Sequence, residues 1–351
     1  MHRKIAIIGA GPAGLISGLY LVMAGHRVTI FEKKHEVIST PCGEGISHDA
    51  TEELKKDTGF DSSPHFSKKV NGLKNFFPKN RISFIGVSGY VLDREKWMRG
   101  MQRHFEKLGG ELIFDREIKK ITELSSFDFI VGADGPNSFI RKYISGKVEI
   151  VPASQYKMEL DWENKDWLEF YWDKDISNFY SWNFPKKNYY NVGVIGNFNH
   201  LDNLLKKYNI KGNIIKKEAY PIPFNGINLQ QENIALIGDA AGMANPFSKG
   251  GLAVLIYASR ILVHCINQNN LSDYEFRIKS HIAFSNLYKK VCTTIKEISQ
   301  NDLESIGEIV HEYDMFKLPL KAYLKTMKYP HVIPKMITIY SGFKNGIKYG
   351  W

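Results

Sequence analysis

The chain has 351 residues, 43% hydrophobic and 13% aromatic, with a formal net charge of +10. That length suits two domains better than one, and the composition excludes a disordered, fibrous or repeat-built chain. Three scattered cysteines, Cys42, Cys265 and Cys292, exclude a disulfide framework and a cysteine zinc site and point to a reducing, cytoplasmic compartment; no metal is expected.

The first element is a short apolar strand over residues 4–8. Gly9-Ala10-Gly11-Pro12-Ala13-Gly14 follows, then a helix carrying Leu15, Leu19, Leu21 and Val22, a strand over 27–31, and Glu32 with Lys33 behind it. Gly9 lets the chain turn out of the strand. Gly11 lets backbone approach a pyrophosphate, and Gly14 lets the helix lie close to the sheet with its N-terminus aimed at phosphate charge. Glu32 stands where a carboxylate accepts ribose hydroxyls. A bound adenine dinucleotide is expected. Because the turn begins at residue 9, no leader peptide is expected.

Residues 51–90 are polar and read as a turn-rich excursion. Residues 94–108 form a helix with Trp97, Met101, Phe105 and Leu108 on one face, stopped by Gly109-Gly110. Strands follow over 111–114 and 127–131, the second running into Gly132-Ala133-Asp134-Gly135. The pattern then alternates, with Tyr156, Met158, Leu160 and Trp162 on one face, and further strands over 168–172, 178–184, 189–195 and 214–220. These suggest an antiparallel sheet with one apolar face. A strand over 233–237 leads to Gly238-Asp239-Ala240-Ala241-Gly242 and a long apolar helix from Gly251, too short to span a bilayer and carrying Arg260. From residue 273 the chain reads as helices broken at Pro319, Pro330 and Pro334. The class is α/β with an α+β insertion. Residues 1–150 and 228–272 would form a nucleotide domain, 151–227 a substrate domain joined by part of 51–90, and 273–351 a helical region.

The last 37 residues hold seven lysines and no acid. They form either a solvated helical face or a surface that rests on anionic lipid headgroups, making the protein peripheral on the inner face of a membrane. Nucleic acid is not expected, because no stacking or zinc motif accompanies the lysines.

Three segments now fall into one order: the opening fingerprint; Val131-Gly132-Ala133-Asp134-Gly135-Pro136-Asn137-Ser138; and Ile237-Gly238-Asp239-Ala240-Ala241-Gly242 with Pro246 and Lys249-Gly250-Gly251-Leu252. Together they resemble the FAD-binding pattern of the para-hydroxybenzoate hydroxylase-like flavoproteins. The resemblance implies FAD rather than NAD, in a Rossmann-like FAD-binding domain with an inserted antiparallel sheet and C-terminal helices. It implies that Asp239 meets a ribityl hydroxyl and that the helix opening at Gly250, Gly251 and Leu252 points its amides at the flavin pyrimidine edge. Asp134 either ties a turn to the sheet or touches FAD. Arg94 matches a basic position near the cofactor; the alternative is a surface arginine at a helix start.

Two further segments, Pro41-Cys42-Gly43-Glu44-Gly45-Ile46-Ser47 and Tyr180-Ser181-Trp182-Asn183-Phe184-Pro185 with Gly193, resemble the signatures of the geranylgeranyl reductase family. That resemblance implies that reduced FAD saturates C=C bonds in isoprenoid chains, including those of membrane glycerophospholipids. It places the Cys42-Gly43 turn by the flavin and makes the aromatic stretch the wall of a lipid pocket. On a strand Tyr180, Trp182 and Phe184 alternate onto one face; sheet core is the alternative use. The family pattern has glycine where Ile195 stands, and here a glycine arrives at Gly196. Cys42 would be a redox thiol, a proton donor or a packing residue, and the proton donor would be Cys42, Glu44 or a bound water. No second fingerprint serves a nicotinamide, so electrons would come from a ferredoxin or a visiting NAD(P)H. The competing readings are an FAD monooxygenase or halogenase, disfavoured by Gly242 where the hydroxylases often carry histidine, and a non-catalytic flavin or lipid carrier.

Overall fold

The computed structural model describes residues 2–160 and 166–350; Trp162, placed above on the alternating strand, lies outside them. The first half runs β1 (Lys4–Ile8), α1 (Pro12–Met23), β2 (Arg27–Phe31), β3 (Gly45–Ser47), α2 (His48–Thr58), β4 (Phe66–Phe77), β5 (Arg81–Leu92), α3 (Arg94–Lys107), β6 (Glu111–Ile113), β7 (Phe129–Gly132) and α4 (Phe139–Tyr143). The middle contains β8 (Lys147–Leu160), β9 (Leu168–Tyr171), β10 (Ser181–Pro185), β11 (Tyr190–Val194), α5 (Phe198–Lys207), β12 (Gly212–Ile227), β13 (Gln230–Gln231) and β14 (Ile234–Leu236). The chain ends with α6 (Leu252–Asn267), α7 (Tyr274–Ser280), α8 (Asn286–Glu297), α9 (Gln300–Val310), α10 (Leu320–Thr326) and α11 (Ile333–Tyr349).

One sheet has the order β13-β14-β7-β1-β2-β6. Its β14, β7, β1, β2 and β6 are mutually parallel, which requires long crossovers; α1 is the crossover from β1 to β2. Ile5, Ala6 and Ile7 of β1 are fully buried, the continuous apolar run of a strand covered on both faces.

The second sheet has the order β12-β8-β11-β10-β9-β4-β5-β3. Its pairings are antiparallel except β4 with β9. That parallel pair arises because β4 comes from the 51–90 segment, which is no turn-rich excursion: it holds α2 and the β4–β5 hairpin, turned by Lys79 and Asn80 at φ 59° and 57°. The alternation was hidden by buried polar residues. Asn75 is fully enclosed and accepts from Trp172 Nε1 at 2.9 Å.

Both faces of this sheet are covered, where one apolar face was expected. One carries Tyr180, Trp182 and Phe184 together with residues of α8, α9 and α11. The other packs Tyr156, Met158, Val192 and Val194 against Leu201 and Leu204 of α5. Strand β10 therefore buries Asn183 on the second face, where its side chain donates to Glu169 at 2.9 Å. In the C-terminal region Pro319 caps α10, but Pro334 sits in the first turn of α11 rather than breaking a helix, because its missing N–H has no intrahelical partner there. Among the described residues no helix is long and apolar enough to cross a membrane.

Candidate active site

The nucleotide end is made by backbone. Gly9 has φ 103°, and a Cβ there would lie 2.6 Å from the Ala133 carbonyl oxygen; one on Gly14 would lie 1.9 Å from that of Gly9. These two glycines press α1 against the end of β1. Gly11, Gly135 and Gly251 are different, since a Cβ on any of them would meet nothing within 4 Å. Pro12 and Ala13 open α1 beside this space, and Lys33 lines it. Glu32 is fixed at the rim, accepting from the Ala10 and Lys34 amides at 2.7 and 3.0 Å. Asp134 ties a turn: it accepts from the Phe139 and Ile140 amides at 2.7 and 3.2 Å and from the Ser138 hydroxyl. Its carboxylate is thus taken up by the first amides of α4, behind the N-cap Ser138, while Ala133, Asp134 and Gly135 line the cavity.

Next to this nucleotide end Gly238, at φ 65°, packs its turn against the start of α1, where an added Cβ would lie 2.5 Å from the Ala13 Cβ. Asp239 accepts from the Tyr220 hydroxyl at 2.8 Å. Burial pushes its carboxyl up, against the pull of Tyr220, Arg94 and Arg141. Arg94 is 7% exposed, so it is not a surface arginine. It donates to Thr40 Oγ1 at 3.1 Å, and its Nε has no partner among the described residues. Burial alone would lower its pKa; the neighbouring Cys42, Glu44, Tyr220 and Asp239 outweigh that and hold it charged. Gly251 is the N-cap of α6 with no side-chain cap, leaving first-turn amides free, and Gly250 and Leu252 line the cavity beside it. Pro246 does not line it; its carbonyl accepts from Lys249 Nζ at 2.7 Å.

The nucleotide cradle and an aromatic chamber beyond it form one cavity of about 540 Å³. Tyr180, Trp182 and Phe184 form one wall. Tyr180 donates to the Ser248 carbonyl and Trp182 Nε1 to Gln155 Oε1 at 3.2 Å, so the rings present carbon to the space. The sequence reading missed Phe170, Trp172, Phe247 and Phe343, which complete the aromatic lining. Their ring centroids lie 4.9–6.4 Å from their aromatic neighbours there. No single local pattern marks them, because they come from β9 and the residue after it, the 246–249 loop and α11. Pro185 and Gly193, expected to contact substrate, do not line the cavity. Gly193 sits opposite Trp182 in the β10–β11 register, and a Cβ there would lie 2.1 Å from the indole; it makes room for the wall. Ile195, where the family pattern has glycine, lines the chamber.

The Cys42–Gly43–Glu44 corner joins chamber to cradle. A Cβ on Gly43 would lie 2.9 Å from Phe184. Asn191 Nδ2 holds the turn through the Cys42 and Gly43 carbonyls at 3.4 and 3.3 Å. Cys42 is half-buried, and its sulfur accepts from the Glu44 amide at 3.2 Å. Glu44 adopts φ 69°, a conformation that a non-glycine residue holds only when its surroundings enforce it. They do so here: its carboxylate pairs with the Lys186 ammonium, which also donates to the Leu92 carbonyl, and both side chains are buried. Lys186 was not foreseen. Followed by Lys187 after a proline, it looks like part of a solvated turn.

Open space over three glycines, uncapped first-turn amides at α6 and an orphaned buried guanidinium nitrogen are what a dinucleotide with a flavin ring requires, so the residues present fit FAD. Residues 2–88 match the family model described as FAD binding domain. Digeranylgeranylglycerophospholipid reductase of Thermoplasma volcanium is 25% identical over 95% of this chain and 98% of its own length. Digeranylgeranylglycerophospholipid reductase 3 of Methanosphaera stadtmanae is 24% identical over 92% and 94%. The chain resembles the geranylgeranyl reductases over nearly its whole length. A geranylgeranyl bacteriochlorophyll reductase-like crystal structure from Thermoplasma acidophilum superposes with a TM-score of 0.79, at 22% identity, covering 96% of this chain and 99% of that one. A flavin-dependent halogenase superposes at 0.66 with 13% identity, covering 95% and 78%. At those identities the two structures speak for the fold alone.

Proposed function

We propose that the protein is an FAD-dependent reductase that saturates C=C bonds of isoprenoid chains, of the geranylgeranyl kind carried by membrane ether lipids. The observation that carries this reading is the aromatic chamber ending at the Cys42–Gly43 turn, between the cradle and the inserted sheet. FAD held there would supply the hydride for one alkene carbon, with a ferredoxin or a nicotinamide nucleotide as the source of electrons.

The chain's own residues do the rest. The Gly9–Gly14 turn, Glu32, Arg94, Asp239 and the α6 amides hold the cofactor. An unactivated alkene is a poor hydride acceptor, so positioning and exclusion of water are the main protein contributions. Trp182, Phe184 and their neighbours do both, because along that wall a flexible apolar tail finds aromatic carbon in place of water. The proton for the second carbon comes from the Cys42–Glu44 corner, through the thiol, a water held there, or Glu44 with the proton passed to it by its Lys186 partner. Lys186 holds Glu44 in place there. The protein works at a membrane surface on the cytoplasmic side, where such lipids are reached.

Anaerobic, dithionite-reduced enzyme given a detergent-dispersed digeranylgeranyl lipid should return product heavier by two hydrogens per bond, read by mass spectrometry. An oxygen-dependent product carrying new oxygen or halogen would replace this reading with a monooxygenase or halogenase. No turnover, with lipid and flavin both bound, would make the protein a carrier.

A further inference from the structure

The C-terminal layer turns an apolar stripe outward. Leu320, Tyr323, Leu324 and Met327 are 75, 58, 55 and 77% exposed. Their spacing of three and four places them on one face of α10 and its C-cap. Ala322, off that stripe, is fully buried. The usual arrangement, with carbon inward and charge outward, is thus inverted. Ile337 and Tyr340 extend the exposed carbon onto α11, and Tyr340 meets Phe316, just before α10, at 5.2 Å.

Charge frames the stripe. Three of the seven C-terminal lysines are committed internally: Lys325 to Glu308, Lys335 to Asp302 and Lys348 to Glu53. Lys317, Lys321 and Lys328, next to the stripe in sequence, are exposed and form no ion pair among the described residues. No acid follows Asp314. A second copy of the chain docking symmetrically would set these lysines against themselves, which electrostatics opposes. An anionic bilayer satisfies both features, taking the carbon into its acyl boundary and the ammonium groups at its headgroups.

We infer that α10 with Met327, flanked by Ile337 and Tyr340, is a monotopic insertion surface for an anionic bilayer. The inner side of α11 serves the same purpose: Phe343, Gly346 and Ile347 line the chamber. One helical layer is membrane-facing outside and substrate-facing inside, so a lipid tail passes between bilayer and chamber along it. The inference rests on the lipid-tail reading for its purpose and on the surface itself for its evidence.

The test is partition to phosphatidylglycerol-containing and pure phosphatidylcholine vesicles, with wild type, Leu320→Ser/Leu324→Ser/Met327→Ser and Lys317→Glu/Lys321→Glu/Lys328→Glu, each checked for flavin content and melting temperature. Wild type should prefer the anionic vesicles. Each lysine is worth about fivefold near such a surface, so losing three of them weakens binding about 100-fold, and the charge variant, which reverses all three, should bind more weakly still at low salt, with the gap closing as salt screens it. The serine variant should lose at least tenfold at every salt concentration. Wild-type partition by both variants, or no binding by wild type, overturns the inference. So does a wild-type dimer in sedimentation that the serine variant abolishes without any vesicle binding. All three proteins are also assayed on detergent-dispersed lipid. If wild type fails there while the vesicle pattern holds, the proposed reaction falls and the docking surface stands.

Discussion

The two ends of the cavity are built from different material. The nucleotide cradle is mostly backbone: glycine spacing lets carbonyls and amides approach, and only a few side chains, Glu32, Arg94 and Asp239, reach into it. The chamber is side chain: seven aromatic residues from β9 and the residue after it, β10 and its approach, one loop and α11 face a common space. A cradle made by backbone fixes residue type at fixed intervals, whereas a wall made by side chains needs only carbon of suitable size from wherever the fold supplies it.

The sharpest way to break this contrast is within the fingerprint. Gly14→Val puts a side chain against the Gly9 carbonyl, where even Cβ would lie at 1.9 Å. Gly11→Val puts one into open space. The first should cost more than about 5 kcal/mol and leave no folded flavoprotein. The second should keep its chemical denaturation midpoint as apoprotein within about 0.5 kcal/mol of wild type yet retain little FAD by absorbance. If both variants fold and bind FAD alike, the two glycines do not divide packing from ligand approach as the geometry says.

At the corner between the two ends, Lys186→Met leaves the Glu44 carboxylate buried without its partner. Breaking such a pair costs about 3–5 kcal/mol. The double change Glu44→Gln/Lys186→Met should recover most of it, read from urea midpoints. A double variant as unstable as the single one would mean that Lys186 acts through packing alone.

The same contrast explains what the sequence disclosed. The Gly9, Gly11 and Gly14 spacing, Glu32 and the Gly238-Asp239 turn were legible because each answers a backbone demand. The β-α-β core and strands β9 to β12 followed from apolar pattern. The β4–β5 hairpin was not legible, because Asn75 and Ser83 are buried polar groups that break the alternation. Gly193 was seen, but its purpose was not: only the register shows that it yields space to Trp182. Lys186 escaped altogether, and Lys249 stood in the quoted motif without any sign that it is buried. A buried lysine and a solvated one are the same letter, and only tertiary packing separates them.

Lys249 gives the smallest and most specific test. It is buried, adopts φ 55°, and lies on the chamber side of α6 with its ammonium 3.4 Å from the centre of the Phe224 ring. Burial pushes it down from 10.5 to about 8. At pH 7 it is charged in both folded and unfolded chains, and the folded chain bears the cost of desolvating it. Between about 8 and 10.5 the unfolded chain binds more protons, so stability from this group rises with pH across that window and the penalty is gone above it. A shift of this size corresponds to about 3 kcal/mol, and the ring face offsets about 1–2 kcal/mol of it. Lys249→Met should therefore be more stable than wild type by about 1–2 kcal/mol at pH 7, with the difference shrinking as pH rises toward 10.5. Parallel urea titrations of the two proteins at several pH values measure it. A variant that loses stability at pH 7 would show instead that the Phe224 contact and the Pro246 hydrogen bond outweigh desolvation, and that the lysine braces the loop leading into α6.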